Sequence, residues 1–295
     1  MDEKQQNQLS SLINRIKLSD KIVKEAESMR FDILANVHQR MDKEVHKIPP
    51  FKIAAIAAAI AVFTVITGLF CYHIGLDEIN GQLVKMSCPS GAKSTLTLPD
   101  GSIVILNGGS TLSYPSRFAS NKREIQLEGE AFFDVKKDSD APFIVQSGKI
   151  NVKVLGTSFN IEAYQDDETI KVTLERGKVC IETPDPDKSL TLTPNQQAVY
   201  NKNTSQLTKT DVNVKETIAW KSNILYFNGI PLKQIARKLE RQFNTHITIE
   251  SEELKNTLFT GEFTEDETID DILTVWTLDN RVKYRRNGKN IVIYE

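Results

Sequence analysis

Apolar residues recur along this chain with changing period, and each change marks a different kind of element. Over residues 1–50 the spacing is helical. Leu9, Leu12, Ile13 and Ile16 fall at i, i+3, i+4 and i+7. Ser19-Asp20 reads as the N-cap and first-turn acid of a second helix. That helix carries Ile22, Val23, Ala26, Met29, Ile33, Leu34, Val37, Met41 and Val45 on one side, and Pro49-Pro50 end it. Some forty residues are too few for an independent core. The stripe is therefore expected to be covered by a copy of itself or by a protein partner. A helical hairpin resting on a membrane surface is the alternative.

Between 53 and 72 the periodicity vanishes. From Ile53 to Tyr72 there is no charged residue and no proline. A hydrocarbon core of about 30 Å needs roughly 20 helical residues, so the run predicts a transmembrane helix. A signal peptide would be shorter and nearer the N-terminus, and a buried globular helix rarely stays uncharged around its circumference. One face is rich in alanine, with Thr64, Thr67 and Gly68 nearby. This suits helix packing, and equally suits alanine serving only as a helix former. Arg40, Lys43, Lys47 and Lys52 lie upstream, while the first downstream basic residue is Lys85. This asymmetry places the N-terminus in the cytoplasm and the C-terminal bulk outside.

From Gln82 to about Asn213 the period becomes two. Leu96 and Leu98 lead into the turn Pro99-Asp100-Gly101-Ser102, and Ile103 and Ile105 open the returning strand. In the run 125–135, Ile125, Leu127, Gly129, Ala131, Phe133 and Val135 share one face. Gly129 inside it predicts a bulge or a close backbone approach. Further strands are expected at 150–155, 159–164, 170–174, 179–183 and 190–192. Short strands between turn signals predict a sandwich or rolled β-structure.

From Trp220 the pattern mixes. Residues 224–227, 247–249 and 258–263 read as strands. Pro231 opens one helix and Thr268 caps another. A hairpin turns at Asn287-Gly288. The fold class expected is a multi-domain membrane protein. It comprises a short cytoplasmic α-helical segment (1–50), one transmembrane helix (51–72), an all-β sandwich or roll (73–213) and a small α+β C-terminal domain (214–295).

Composition adds mainly exclusions. The 295 residues are 40% hydrophobic with a formal net charge of −2, which gives no electrostatic case for direct nucleic-acid binding. Of the three cysteines, Cys88 and Cys180 follow the apolar run, and they permit one disulfide or two buried thiols. The four histidines are split between the two sides, so no metal site is suggested, and no phosphate-binding glycine loop or cofactor motif is present. Glu128, Glu130 and Asp134 alternate on one strand face, with Glu128 and Glu130 about 6–7 Å apart. That is compatible with an acid/base pair, but a solvated strand face is the expectation. Gly156-Thr157 is the one place where backbone chemistry is conceivable, by attack of the threonine hydroxyl on the preceding carbonyl. An ordinary turn glycine is favoured, and no enzyme activity is expected.

The assembled motifs resemble the FecR-type anti-sigma factors, inner-membrane regulators of cell-surface signalling in Gram-negative bacteria. They run in series from about residue 90 to the C-terminus: 98–102 (LPDGS), 106–107 (LN), 114–115 (YP), 127–135 (LEGEAFFDV), 142–143 (PF), 154–160 (VLGTSFN) and 174–179 (LERGKV). The last eighty residues resemble the C-terminal domain of Bacteroidota members, which is similar to the short signalling domain of secretins and TonB-dependent transducers. The resemblance implies a relay. The signalling domain of a TonB-dependent outer-membrane transporter would engage the C-terminal domain in the periplasm, and the cytoplasmic segment would then release, or co-activate, an extracytoplasmic-function sigma factor. It also implies cleavage by an intramembrane protease and, in some members, self-cleavage at the Gly-Thr matching Gly156-Thr157.

Two partner faces follow. Leu9, Leu12, Ile13, Ile16, Ile22, Val23, Ala26, Ile33, Leu34 and Val37 form the expected sigma-factor face. The strands Ile224, Leu225, Tyr226, Phe227 and Ile291, Val292, Ile293, Tyr294 are the edges expected to pair with the transducer. The competing reading is a membrane-anchored periplasmic binding or envelope-scaffold protein with no sigma partner.

Overall fold

A computed structural model describes residues 3–43, 50–79, 81–264, 266–278 and 282–295. The chain divides into two compact units, 1–72 and 73–295.

The first unit holds one helix and most of a second, whose last residues, 73–79, belong to the second unit. α1 (Glu3–Lys43) is continuous for 41 residues, so the expected break at Ser19-Asp20 does not occur. Ser and Asp cost only a few tenths of a kcal/mol inside a helix, and no Gly or Pro interrupts the run. α2 (Pro50–Ile79) begins with proline in its first turn, where the missing N–H costs nothing. Its threonines bond within the helix: Thr64 Oγ1 donates to Ala61 O (2.9 Å) and Thr67 Oγ1 to Phe63 O (2.6 Å). Pro49 and the side chains of Ile16, Met41, Lys43, Val45, Lys47, Lys52, Ile53, Ile56, Ala57, Cys71 and Tyr72 lie outside the described residues. Among the described residues no helix is long and apolar enough to cross a membrane.

The second unit continues with thirteen strands. One set runs β1 (Leu83–Cys88), β4 (Ser110–Pro115), β5 (Arg123–Asp134), β6 (Phe143–Ser147), β7 (Ile150–Val154), β10 (Val179–Glu182) and β11 (Leu190–Leu192) in spatial order. The other runs β2 (Ser94–Thr97), β3 (Ile103–Leu106), β5 again, β8 (Ser158–Ala163), β9 (Thr169–Arg176), β12 (Gln196–Asn201) and β13 (Leu207–Asp211). The β5–β6 pair is parallel and all the others are antiparallel. β5 therefore belongs to both sets, its first half to one and its second half to the other, and the handover falls at Gly129. Gly129 has φ +102°, and a Cβ there would meet Ser110 Oγ at 2.4 Å. The sheet turns this corner because only glycine allows both the backbone angle and the approach of β4. Phe133, Phe143 and Phe159 fill the core between the sets, with Phe133 and Phe159 stacked at 5.1 Å. Cys88 and Cys180 remain thiols on separate strands.

A short helix, α3 (Val214–Thr217), and a 3-10 turn at Ala219–Ser222 lead to the C-terminal module. It contains β14 (Leu225–Pro231), α4 (Leu232–Phe243), β15 (His246–Ile249), α5 (Glu252–Asn256), β16 (Leu258–Phe263), α6 (Ile269–Thr277), β17 (Lys283–Asn287) and β18 (Asn290–Tyr294). β14 pairs with β16, and β18 lies between β15 and β17. Thr268 and Asp271 form a reciprocal capping box at α6, as Thr268 foreshadows. The module has its own core, built on Phe227, Leu232, Ile235, Leu239, Ile272, Leu273 and Ile293. The architecture is thus mostly β, with an N-terminal helical part and a small α+β part at the C-terminus.

Candidate functional site

The apolar stripe of α1 is uncovered. Leu9, Leu12, Ile13, Ile22, Val23, Ile33, Leu34 and Val37 are between 45% and 59% exposed, and Ala26 is exposed with them. Ile16 lies outside the described side chains. A helix with this much apolar surface gains stability mainly by packing that face against something else.

The two expected strand edges differ. Among the described residues β14 has one strand partner, which leaves its other edge without a paired strand, with Leu225 and Phe227 turned into the core and Tyr226 half-buried. Ile224 lies one residue before the strand. Ile291, Val292, Ile293 and Tyr294 are not an edge, because β18 is hydrogen-bonded on both sides. A C-terminal apolar strand reads as terminal in sequence, but the parallel pairing with β15 encloses it. The open edges of that sheet are β15 and the basic strand β17.

Gly156-Thr157 is built as a structural corner. A Cβ on Gly156 would meet Lys137 Cα at 2.6 Å, which accounts for glycine. The Thr157 hydroxyl is buried and donates to Lys178 O at 3.0 Å, in the turn between β9 and β10.

The carboxylates of β5 separate. Glu128 and Asp134 are exposed, whereas Glu130 is only 5% exposed, so the expectation of a solvated face fails there. The reason is tertiary: every residue of β8, the neighbour of the second half of β5, is buried. The inward face of β8 meets the core, and its outward face meets the linker and α4. Glu130 lies directly opposite Glu162 in the register, an arrangement that repels unless a cation intervenes. Lys238 of α4 supplies it, with Nζ 3.3 Å from Glu162 Oε1, and Lys171 Nζ lies 3.6 Å from Glu162 Oε2. Asn107 Nδ2 and Asn160 Nδ2 donate to the two Glu130 oxygens at 2.8 and 3.0 Å, and Trp220 Nε1 donates to Asn160 Oδ1 at 3.2 Å.

Burial pushes the Glu130 carboxyl above its ordinary range, and Lys238 and the two amide donors offset this only in part. Burial acts in the same sense on Glu162, but Lys238 and Lys171 outweigh it and hold that carboxyl down at about 2. Farther along α4, Arg241 bonds Asp167 through both amino groups (2.9 Å each) and Asp166 at 2.8 Å. Its guanidinium carbon stands 3.6 Å from the Tyr164 ring centroid. Arg237 donates to Asp166 O at 2.7 Å, and Gly91 N–H donates to Arg241 O at 2.8 Å. Arg237, Lys238 and Arg241 look like the solvated polar side of an amphipathic helix in sequence. The acidic run Asp166-Asp167-Glu168 is the only local sign of their partners. What the arrangement offers is docking and charge compensation. Among the described residues no group of metal-ligating side chains is assembled.

Residues 85–180 match the family described as FecR protein, and residues 224–293 match the family described as FecR, C-terminal. Among solved structures, the chain is similar to a candidate anti-sigma factor from Parabacteroides distasonis ATCC 8503, crystallised at 1.65 Å and at 2.50 Å resolution. In each case the TM-score is 0.68 at 34% sequence identity, covering 72% of this chain and 99% of the other. No curated protein matches.

Proposed function

The chain belongs to the family of FecR-type anti-sigma factors, and from that membership we propose that it relays an external signal to a sigma factor across the inner membrane. Its role is that of a sigma regulator, which is a regulatory rather than an enzymatic class. In the relay, α2 spans the bilayer once, with residues 1–50 in the cytoplasm and the strand-rich and C-terminal modules in the periplasm. A 30-residue helix is about 45 Å long, and residues 53–72 carry no charge, which supports the span. The basic residues before it and their absence just after it support the orientation.

The observation that carries the proposal is the uncovered apolar face of α1 in a chain of this family. The proposed occupant is an extracytoplasmic-function sigma factor, bound along Leu9 to Val37. In the periplasm the proposed partner is the signalling domain of a TonB-dependent transporter, adding a strand to the unpaired edge of β14 through main-chain hydrogen bonds. An intramembrane protease acting on α2 is the proposed release step, because Thr64, Thr67 and Gly68 are weaker helix formers than leucine and make that stretch easier to unwind.

The test is a sigma-dependent transcriptional reporter in cells carrying the chain without residues 1–45. A relay loses control of the reporter with that deletion. An envelope scaffold leaves it unchanged, and that result would overturn the proposal.

A further inference from the structure

We propose that the seam between the strand-rich module and the C-terminal module is an ionic latch, able to open while both modules stay folded. The two hydrophobic cores share no residue. A third, small cluster of Phe132, Val214, Ile218 and Trp220 joins the linker to the strand-rich module and includes nothing from the C-terminal core. The face of α4 that carries Leu232, Ile235, Ala236 and Leu239 is spent on its own module. Contact across the seam is therefore carried mainly by the polar face of α4: Arg237, Lys238 and Arg241 against Glu162, Asp166 and Asp167, with the Arg241 guanidinium also stacked on the Tyr164 ring. Gly91 adds its N–H to the Arg241 carbonyl, and a Cβ on Gly108 would meet that carbonyl at 2.6 Å. The approach is close and geometrically specific.

The energetics of such a seam are asymmetric. Deleting one member of a buried ion pair strands the other charge. Separating the whole seam instead returns both charges to water, so the desolvation cost is recovered and the net penalty of opening stays small. An apolar seam of the same extent would have no such compensation, and inter-domain contacts are rigid chiefly when large and hydrophobic. A cavity of about 50 Å³ already lies at the seam, with Glu130, Lys238 and Arg241 among its polar lining and Leu225 and Phe227 of the C-terminal core on its apolar side. It has room and partners for water to enter where the charges must be rehydrated. Opening would expose the basic face of α4 and the acidic pair Asp166-Asp167 while leaving both cores intact. Linking that opening to signal transfer rests on the relay reading, but the latch itself does not.

Hydrogen exchange read by mass spectrometry on the full chain in detergent micelles tests this without a sigma factor or a transporter. The outcome is thus readable even if the relay fails. In the unaltered protein the Gly91 amide should exchange at least tenfold faster than the amides of β15, β17 and β18 and of β5 and β8. Joint Asp166→Asn and Asp167→Asn substitution should speed exchange over residues 89–93 at least tenfold further, with the protection of β15, β17 and β18 unchanged. Two results would overturn the latch. One is Gly91 exchanging only as slowly as the core strands in the unaltered protein. The other is β15, β17 and β18 losing protection together with residues 89–93 in the variant.

Discussion

Lys238 faces two carboxylates that the β5–β8 register brings opposite each other, and the consequences of removing it follow from charge alone. In Lys238→Met, Glu130 and Glu162 remain covered without their shared cation, which should cost about 2–4 kcal/mol at pH 7. The deficit should shrink as pH falls towards 5, because the stranded acids then take up protons. Unfolding curves of the two proteins at pH 7 and pH 5 check this, and an equal gap at both would contradict the assignment. In the unaltered protein the two acids pull in opposite directions. Glu162 is held near 2, below its ordinary 4.5, so its contribution is present above about pH 4.5 and is lost as pH falls towards 2. Glu130 is raised, so its contribution is present below about pH 4.5 and is lost as pH climbs through its raised value. At Gly129 the constraint is steric. Gly129→Ala meets Ser110 at an unfavourable positive φ and should lower stability by roughly 2–4 kcal/mol, as denaturant unfolding would measure.

Among the elements, strands with one face in the core were the most legible in sequence. The alternation of Ile125, Leu127, Ala131 and Phe133 and the capping Thr268 announce their elements directly. Glu130 misleads because its neighbours along the chain describe an alternating, half-solvated strand, while its cover comes from a helix more than a hundred residues away. Lys238 and Arg241 mislead for the same reason seen from the other side. β18 reads as an edge because pairing order is a property of the sheet and not of the strand. The expected break in α1 rested on a weak local preference of Ser19-Asp20, which an uninterrupted helix outweighs. The α1 stripe makes its own prediction. Leu12→Asp with Ile33→Asp should abolish capture of a sigma factor and leave the unfolding of the 73–295 unit within about 0.5 kcal/mol. Retained capture would remove α1 as the binding face. On β14, Tyr226→Lys next to the unpaired edge should weaken response to the external signal in the reporter assay, and an unchanged response would exclude that edge.

At the scale of the whole molecule, the order of parts carries the account: an uncovered apolar helix, an uncharged helical run, a rolled β module and a docked α+β module. Each has a physical role that the others cannot take. α1 lacks a core of its own, residues 53–72 carry no charge, and the strand-rich and C-terminal modules each have a core and meet largely through charge. In the proposed relay, the first of these parts holds a sigma factor. The most direct measurement is affinity capture of the full chain from detergent-solubilised membranes, together with the extracytoplasmic-function sigma factors of the same cell, each tested by titration. Saturable binding of one of them, lost on removal of residues 1–45, is expected. Binding by none of them, with the full chain folded and intact, would contradict the relay.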